Sequence, residues 1–417
     1  MSYVWITPKT DWVKTDQFTY QDYNRIRNNL LYINDKLNTN YPSKKTILDL
    51  GDDKTGYNND YYASEFVAFE KALDSFTRIG RNVNIGAKSN FKGNESFADA
   101  DALNRIEKSC LRWKDFMKPQ YKIFDTPYVV RNGACAIGAF DEHGRTVHVM
   151  GGGGGWSGVT EHWCFSPRTE TWKKCTDLPR PFYAFACTRL WEEMFIVGGS
   201  DSNLQALSDG YYNSNRGAEY PWRTIPNLPV GLFGLHLVPY CYKKTYGLLC
   251  LGGGSSISGD TLWGKRVFFI ADRSIESLGN WQRLQDLPFV LDDKGSVVLF
   301  ANTFTKIYAN SSDKLYRLSI NKKAGEEDVW EELCLLPHKN EGGKLISSDT
   351  YLYYIGGSSE DLNYYKLDEK NMTWESAGEL PWAFRYGAVA RINNNAYVIG
   401  GTDPVGRNKM CVIPLES

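Results

Sequence analysis

A tryptophan followed six residues later by Leu-Pro occurs five times in this chain of 417 residues. A second mark, a glycine pair that ends a short apolar run, lies between these copies. The tryptophans are Trp172, Trp222, Trp281, Trp330 and Trp374, and the glycine pairs begin at Gly151, Gly198, Gly252, Gly356 and Gly400. A fixed spacing that returns about every fifty residues indicates one supersecondary unit copied along the chain.

The apolar-Gly-Gly and Trp marks resemble those of the kelch repeat, in which each copy is one four-stranded blade of a β-propeller. Small residues such as those of 386–390 follow each Leu-Pro and predict the innermost strand, where neighbouring blades crowd together. The apolar run predicts the second strand, and glycine permits the close backbone approach at its end. The tryptophan is expected on the outer strand, packed between blades.

The number of blades follows from the two ends of the repeat region. Pro127 is followed by Arg131 and Gly133 at the same distances at which Arg385 and Gly387 follow Pro381, so a sixth blade starts after Pro127. After the last glycine pair only one more strand fits, around 409–414. We therefore predict an all-β, six-bladed kelch-like propeller over 119–417. Its last blade takes its outer strand from 121–124, within about 120–125, which would close the ring and remove exposed sheet edges.

Residues 1–118 carry a different period. Apolar residues three and four apart predict three amphipathic helices that form a small helical module. Thr19 with Asp22, and Asp99, are expected to start the first and third helices. Asn24-Arg25-Ile26 in the first helix returns as Asn104-Arg105-Ile106 in the third, which suggests a weak internal duplication. The apolar positions are Tyr23, Ile26, Leu30, Ile33 and Leu37; Tyr62, Phe66, Phe69, Leu73 and Phe76; and Leu103, Ile106, Cys110, Trp113 and Met117.

The module also resembles the N-terminus of tail proteins from phages and prophages of Gram-positive bacteria. The motifs that carry the likeness are Thr10-Asp11-Trp12, Thr15-Asp16, Phe18, Asp22 to Ile26 with Asn28-Asn29, Asp49-Leu50-Gly51 before Lys54-Thr55, and Leu103 to Glu107. The resemblance covers about 115 residues and implies attachment to a tail tip or baseplate, with no catalytic residue. We expect the assembly interface to include Trp12, Tyr23, Asn24, Arg25, Asn104 and Arg105. An ordinary helical cap on the propeller is the alternative.

Composition and charge narrow the classes of partner and the compartment that the protein can be expected to have. With 48 basic and 49 acidic residues the formal net charge is −1, which gives no electrostatic case for nucleic acid or an anionic membrane. The start of the chain lacks the apolar core of a signal peptide, and no stretch approaches eighteen apolar residues. Nine cysteines without a C-x2-C pair fit a chain folded in a reducing cytoplasm. These features fit a virion protein that is assembled in the host cytoplasm, is present in several copies on the particle and is not inserted in a membrane.

Repeat arithmetic predicts a binding surface. The loop after the glycine pair and the loop after Leu-Pro emerge on the same face of a blade. The position four residues past each blade-opening proline therefore forms a ring at the channel mouth, to which loop residues add Trp156 and four aspartates. Such residues suit a carbohydrate site, yet the arginines would equally suit pairing with Asp292 and Glu341 across the channel. The ring is Arg131, Tyr183, Phe233, Asp292, Glu341 and Arg385, and the aspartates are Asp201, Asp260, Asp361 and Asp403.

No metal or cofactor is expected, because the five histidines are scattered along the sequence and Gly151–Gly155 lacks the Lys-Ser/Thr of a phosphate loop. Three functions remain open. The first is a tail-tip protein that docks on other tail or baseplate proteins and presents the propeller to a host glycan or protein. The second is a sugar epimerase or mutarotase in which ring carboxylates serve as acid and base. The third is an intracellular kelch adaptor, for which no partner domain is recognisable.

Overall fold

The protein forms two compact units, Met1–Pro119 and Gln120–Ser417. The structure is a computed structural model. No helix in the part of the chain it describes combines the length and apolar character that a membrane span requires. It describes residues 3–40, 45–56, 60–79, 83–92, 99–117, 121–130, 132–141, 144–153, 158–214, 220–256, 258–272, 278–300, 306–320 and 328–416.

The first unit contains the three predicted helices: α1 (Tyr20–Asn40), α2 (Ala63–Phe76), followed by a short 3-10 turn (Thr77–Ile79), and α3 (Ala100–Phe116). The predicted starts are confirmed. The Asp22 carboxylate accepts hydrogen bonds from the Thr19 backbone N–H and hydroxyl, and the Asp99 carboxylate accepts from the Ala102 N–H. Each helix contributes its apolar stripe to one core, which includes the buried side chains of Leu30, Phe69 and Trp113.

Helix asparagines hold the extended segments of this unit. Both the N–H and the C=O of Trp12 are hydrogen-bonded to the Asn104 side chain, at 2.8 and 3.0 Å, and Lys54 is held in the same way by Asn24. A side-chain amide offers one donor and one acceptor in the spacing of a β-partner, so it can stand in for a neighbouring strand. The repeated Asn-Arg-Ile triplet thus makes the same backbone contact twice, once in α1 and once in α3.

The second unit is a ring of six four-stranded antiparallel sheets, so the predicted six-bladed propeller is confirmed. The first strands of consecutive blades contact one another around the ring and therefore surround the channel. These innermost strands are β2 (Asn132–Asp141), β6 (Ala186–Leu190), β10 (Phe233–Tyr242), β14 (Ser296–Leu299), β18 (Lys344–Ser347) and β22 (Ala388–Ile392). The second strands, which carry the apolar runs, are β3 (Gly144–Gly153), β7 (Glu193–Val197), β11 (Thr245–Gly254), β15 (Lys306–Ser311), β19 (Leu352–Ile355) and β23 (Asn395–Ile399).

Each blade is completed by a third and a fourth strand, which lie farther from the channel. The third strands are β4 (His162–Ser166), β8 (Gly210–Ser214), β12 (Val267–Ala271), β16 (Lys314–Ser319), β20 (Asn363–Asp368) and β24 (Lys409–Pro414). The outer strands are β5 (Thr171–Lys174), β9 (Arg223–Ile225), β13 (Gln282–Arg283), β17 (Val329–Leu335), β21 (Thr373–Glu379) and, for the sixth blade, β1 (Lys122–Asp125). The blades are numbered one to six from β2 onward.

The ring closes by the strand exchange predicted from the sequence. Strand β1 pairs antiparallel with β24, with Lys122 opposite Val412 and Asp125 opposite Lys409. Phe124 of β1 also packs into the core between blades six and one, where its ring centroid lies 4.9 Å from that of Phe165. Because β1 precedes blade one in the chain and β24 ends blade six, this pairing joins the two ends of the propeller.

The repeat tryptophans fix neighbouring blades to each other. Three of them donate their indole N–H to a backbone carbonyl of the preceding blade, at 2.8 to 3.0 Å: Trp172 to Asp125, Trp281 to Pro226, and Trp374 to Leu335. The expected place on the outer strand holds for Trp172, Trp330 and Trp374, whereas Trp222 and Trp281 lie one residue before it. Within the described part of the chain, a hydrophobic cluster fills each of the six spaces between blades.

Candidate functional site at the channel mouth

The described residues of the predicted channel-mouth ring make different contacts. Arg385 and Glu341 form an ion pair at 2.8 Å, which is the pairing alternative rather than an open binding group. The Phe233 ring packs edge-on against Trp263, at 5.4 Å between centroids. Asp292 accepts a hydrogen bond from the Lys294 N–H within its own turn. Of the described ring residues, Tyr183 alone lines the channel cavity; Arg131 and Trp156 lie outside the described residues.

The loop aspartates have a local role that the sequence reasoning missed. Each of the four accepts a hydrogen bond from the backbone N–H two residues later, a turn that Asp side chains commonly form. Asp260 is in addition held by Arg266 through two hydrogen bonds of 2.6 Å each. These carboxylates therefore shape the loops after the glycine pairs. The pairs are Asp201 with Asn203, Asp260 with Leu262, Asp361 with Asn363, and Asp403 with Val405.

A cavity of about 170 Å³ lies inside the channel, just below the predicted ring. Its wall is formed by the beginnings of the innermost strands, so every blade contributes to it. Each blade contributes at least one polar side chain to the wall, and six of these, one from each blade, are called the cavity residues. They are Asn132, Tyr183, His236, Asp293, Lys344 and Tyr386, in the order of blades one to six.

Two tyrosines of the wall each pack over a glycine of the preceding blade. The Tyr183 ring packs over Gly133 of the preceding blade, and the Tyr386 ring packs over Gly342 of its own preceding blade. A Cβ at either glycine would lie 2.9 or 2.8 Å from the ring, so the rings need glycine beneath them. Burial raises the pKa of both tyrosines, and the nearby Asp293 carboxylate adds to the shift. Both phenols are therefore protonated at neutral pH, and a hydrogen bond between the Asn132 side chain and the Tyr183 hydroxyl opposes the shift of Tyr183.

Tyr386 has an unusual backbone. Its φ is +57°, in the left-handed region that costs an L-residue roughly 1–2 kcal/mol and that bulky side chains avoid. The equivalent positions of blades two, three and five carry Ala184, Gly234 and Gly342, all at positive φ, and the two glycines adopt it without this cost. A large side chain kept in such a conformation is a frequent mark of a functional site.

The cavity contains opposite charges whose pKa values are shifted by their surroundings. Burial lowers the pKa of Lys344, and the carboxylates of Asp293 and Asp292 oppose that shift. Burial raises the pKa of Asp293, and the Lys344 ammonium opposes it. Lys344 donates to the Gly295 carbonyl at 3.3 Å; among the described residues this is the one hydrogen bond of its three donors. Two N–H groups of Lys344 thus remain for a ligand.

His236 sits beside this pair. Its Nε2–H donates to the backbone carbonyl of Asp292 at 2.9 Å, which leaves Nδ1 as an acceptor. Burial, assisted by the Lys344 charge, lowers the pKa of His236 to about 4. The imidazole is therefore neutral at neutral pH. The wall offers amide, phenol, imidazole, ammonium and carboxylate groups within a space smaller than the roughly 300–1,000 Å³ of pockets for drug-sized ligands.

The cavity residues could have been found in the sequence by counting from the blade-opening prolines. The ring was placed four residues after each blade-opening proline, which holds for Tyr183, whereas the other five cavity residues lie at other steps of the same count. Asn132, Asp293 and Tyr386 lie five residues after it, and His236 and Lys344 lie seven after it. A search along the whole innermost strand for polar side chains among small ones would have found them.

The expectation of dispersed histidines is wrong for one pair. His148 and His162 are both buried, and His148 Nδ1 lies 2.9 Å from His162 Nε2. They stand on adjacent strands of blade one, fourteen residues apart in the sequence, where pairing of β3 with β4 brings them together. Cys175 completes a cluster in which the three ligand-type atoms lie within 4.8 Å of one another.

The residues expected at an assembly interface make contacts inside the helical unit. Trp12 and Tyr23 are buried there, so their side chains are not presented to a partner. Asn24 and Asn104 bind backbone, as described above. Arg25 pairs with the buried Glu107 at 2.6 Å, and Arg105 pairs with Glu70. A docking surface on this unit would use other residues.

Comparison with known proteins agrees with the fold. No protein-family model matches the chain. Among solved structures, that of YjhT is similar, with a TM-score of 0.53 and 16% sequence identity over 69% of this chain and 94% of that chain. An identity of this size supports likeness of fold alone. By its own sheets and by this comparison, the C-terminal unit is a six-bladed β-propeller.

Proposed function

We propose that this protein recognises a carbohydrate, and that the propeller binds one sugar unit of a surface glycan in the channel cavity. One observation carries the proposal: polar side chains from all six blades converge on a cavity of about 170 Å³. Their convergence is what a small polar ligand needs.

The chemistry of the wall fits a sugar ring. Tyrosine offers an apolar ring face for the C–H surface of a pyranose and a hydroxyl for its oxygens. Asn132, Lys344 and Asp293 supply donors and acceptors that match alternating hydroxyl groups. Hydrogen bonds to charged groups contribute roughly 1.5–3 kcal/mol each, so a few of them hold one sugar at micromolar to millimolar strength.

The helical unit bears on where this recognition takes place. The resemblance of the first 115 residues to phage tail proteins supports a role in attaching the propeller to a tail tip or baseplate. In that setting the partners are other tail proteins and a host glycan, the protein occurs in several copies on the virion, and it performs no catalysis. Neighbouring genes for a tape measure, baseplate or holin would support this setting, and their replacement by sugar-uptake genes would oppose it.

A glycan array tests the proposal. Fluorescently labelled full-length protein is applied to an array that includes bacterial cell-wall and capsular saccharides. We expect binding to glycans that share one terminal sugar, and competition by that free monosaccharide. Tyr183→Ala should abolish the signal, whereas Tyr246→Ala, which removes an exposed tyrosine of β11, should leave it unchanged. Binding to no glycan, or equal binding by Tyr183→Ala, would refute recognition through the cavity.

One observation favours a second candidate, a sugar mutarotase or epimerase. The cavity holds Asp293 with a raised pKa and Lys344 with a lowered pKa, and oppositely shifted acids and bases often mark catalytic sites. Proton transfer at the anomeric hydroxyl by such a pair would open the sugar ring. Polarimetry on freshly dissolved monosaccharides separates the candidates. Enzyme-dependent acceleration that is lost in Asp293→Asn indicates mutarotation, and an unchanged rate with glycan binding indicates recognition alone.

A further inference from the structure

Blade one contains four metal-ligand-type side chains on one face of its sheet. His148 on β3 is opposite Cys164 on β4 in the strand register, and cross-strand partners point to the same side. His162 lies two residues before Cys164 and so shares that side. The Cys175 N–H donates to the His162 carbonyl at 2.9 Å, which continues the pairing one residue past β5. All four side chains are at most 5% exposed, and Cys164 packs against Cys175.

The ligand atoms of three of these residues already meet. His148 Nδ1 lies 2.9 Å from His162 Nε2 and 4.0 Å from Cys175 Sγ. The same three residues form a cluster whose ligand atoms all lie within 4.8 Å of one another. A tetrahedral zinc site with Zn–N bonds of about 2.1 Å and Zn–S bonds of about 2.3 Å needs ligand atoms roughly 3.4–3.7 Å apart. Changes of up to about 1 Å in these distances therefore bring the three ligand atoms to the spacing of a coordination shell.

The outer nitrogens of both imidazoles have partners that suit metal binding. His162 Nδ1 lies 3.0 Å from the Thr176 carbonyl, which can only accept, so Nδ1 carries the proton and Nε2 presents a lone pair to the cluster. His148 Nε2 lies 3.2 Å from the Thr146 hydroxyl, which can donate or accept. Backbone carbonyls and hydroxyls in this position commonly orient metal-binding histidines.

The metal-free network is also satisfied, and it differs by one tautomer. Without a metal, His148 Nδ1–H donates to His162 Nε2, and His148 Nε2 accepts from the Thr146 hydroxyl. With a metal, the His148 proton resides on Nε2 and is donated to Thr146, while Nδ1 binds the ion. Because the threonine hydroxyl can reverse its role, neither state leaves a buried group unpaired.

We propose that His148 Nδ1, His162 Nε2 and Cys175 Sγ form a buried zinc-binding site in blade one, with the Cys164 thiol as the fourth ligand. Two imidazoles and sulfur favour Zn²⁺ over hard, oxygen-seeking ions such as Mg²⁺ or Ca²⁺. Zinc–sulfur bonds replace the S–H bonds of the bound cysteines, and one proton per thiolate leaves to solvent. The ion would join β3, β4 and the end of β5, and so brace the first blade.

Cobalt titration tests the site in the full-length protein. After removal of metals with a chelator, Co²⁺ should bind with one-to-one stoichiometry and give visible d–d bands and a near-ultraviolet sulfur-to-cobalt charge-transfer band. Added Zn²⁺ should abolish both. Cys175→Ala should lose about half of the charge-transfer intensity and bind Co²⁺ at least tenfold more weakly. Cys250→Ala, which removes an equally buried cysteine of β11, should behave as the wild type.

A second measurement keeps the test independent of how well the variants fold. X-ray absorption at the zinc edge of the Zn²⁺-loaded wild type should show a mixed nitrogen and sulfur shell, with a Zn–S distance of about 2.3 Å. Zn²⁺ should also raise the melting temperature in a concentration-dependent manner. A wild type that binds no Co²⁺ or Zn²⁺, a shell of oxygen and nitrogen alone, or an undiminished charge-transfer band in Cys175→Ala would each overturn the assignment.

Discussion

The ring of Tyr386 packs directly on Gly342, so that a Cβ at Gly342 would stand 2.8 Å from the ring. Gly342 has a φ of +81° and Tyr386 a φ of +57°. Two adjacent blades thus both adopt left-handed backbone where they meet at the cavity, and one of them carries a large aromatic side chain. The position of the Tyr386 hydroxyl depends on this contact.

Gly342→Ala is expected to destabilise the propeller and displace Tyr386. The backbone conformation costs an alanine roughly 1–2 kcal/mol, and the collision adds an overpacking cost of roughly 1–3 kcal/mol. Gly259→Ala is the matched control, since Gly259 has a φ of +71° and no atom within 4 Å of an added Cβ. Urea unfolding should give the larger loss for Gly342→Ala. Equal losses in the two variants would show that Tyr386 yields to the methyl group without cost.

His236 is expected to make the propeller acid-sensitive. Its folded-state pKa is about 4, below the ordinary value of about 6.5, so the unfolded chain takes up the proton first as the pH falls. The stability that depends on neutral His236 is complete above pH 6.5 and is lost between about 6.5 and 4. Between pH 7 and 4.5 the wild type should lose about 2 kcal/mol more unfolding free energy than His236→Gln. Parallel pH dependences in urea unfolding would refute the assignment to this residue.

The closing strand is expected to decide whether the propeller folds without the helical unit. A fragment of residues 120–417 retains β1 and should fold and melt cooperatively. A fragment of 126–417 lacks β1 and exposes the edge of β24 together with the cavity left by Phe124. It should lose at least about 2 kcal/mol from this burial and be prone to aggregation. Circular dichroism melts and size-exclusion chromatography of both fragments provide the check; identical behaviour would mean that β1 is dispensable for closure.

Asn104→Ala is expected to release the segment that contains Trp12. The substitution removes two hydrogen bonds to the Trp12 backbone, worth about 1 kcal/mol each. Hydrogen exchange at the Trp12 amide should accelerate by a factor of roughly 30. Asn38→Ala, which removes the equivalent bonds to Thr46, should accelerate exchange at Thr46 and leave Trp12 protected. Unchanged exchange at Trp12 in Asn104→Ala would show that its buried side chain, rather than the asparagine, holds the segment.

The blade count and the ring closure could be predicted from the sequence because they depend on spacing. Trp172 and Trp374 recur with Leu-Pro at a fixed distance, and the strand missing after Gly401 had to come from elsewhere. The helix starts were predictable for the same kind of reason, since Asp99 and the Thr19–Asp22 pair act within one turn.

The site was predicted less well, because it depends on side-chain direction at bends. Glu341, Arg385 and Tyr183 each stand one residue before a positive-φ position, yet Glu341 and Arg385 pair with each other whereas Tyr183 lines the cavity. Tyr386, at such a position, also reaches the cavity. The approach of His148 to His162 was missed because it requires the strand register of β3 and β4. Spacing alone does not give that register.

Binding of a monosaccharide to Lys344 is the central claim. Saturation-transfer NMR on the full-length protein, with a panel of neutral, N-acetylated and acidic monosaccharides, measures it most directly. We predict that at least one sugar receives saturation from the wild type and that Lys344→Met weakens its binding tenfold or more. Lys306→Met is the control, because Lys306 is the first residue of β15 and does not line the cavity; this variant should bind as the wild type does. Transfer to no sugar, or equal affinity of wild type and Lys344→Met, would contradict the account.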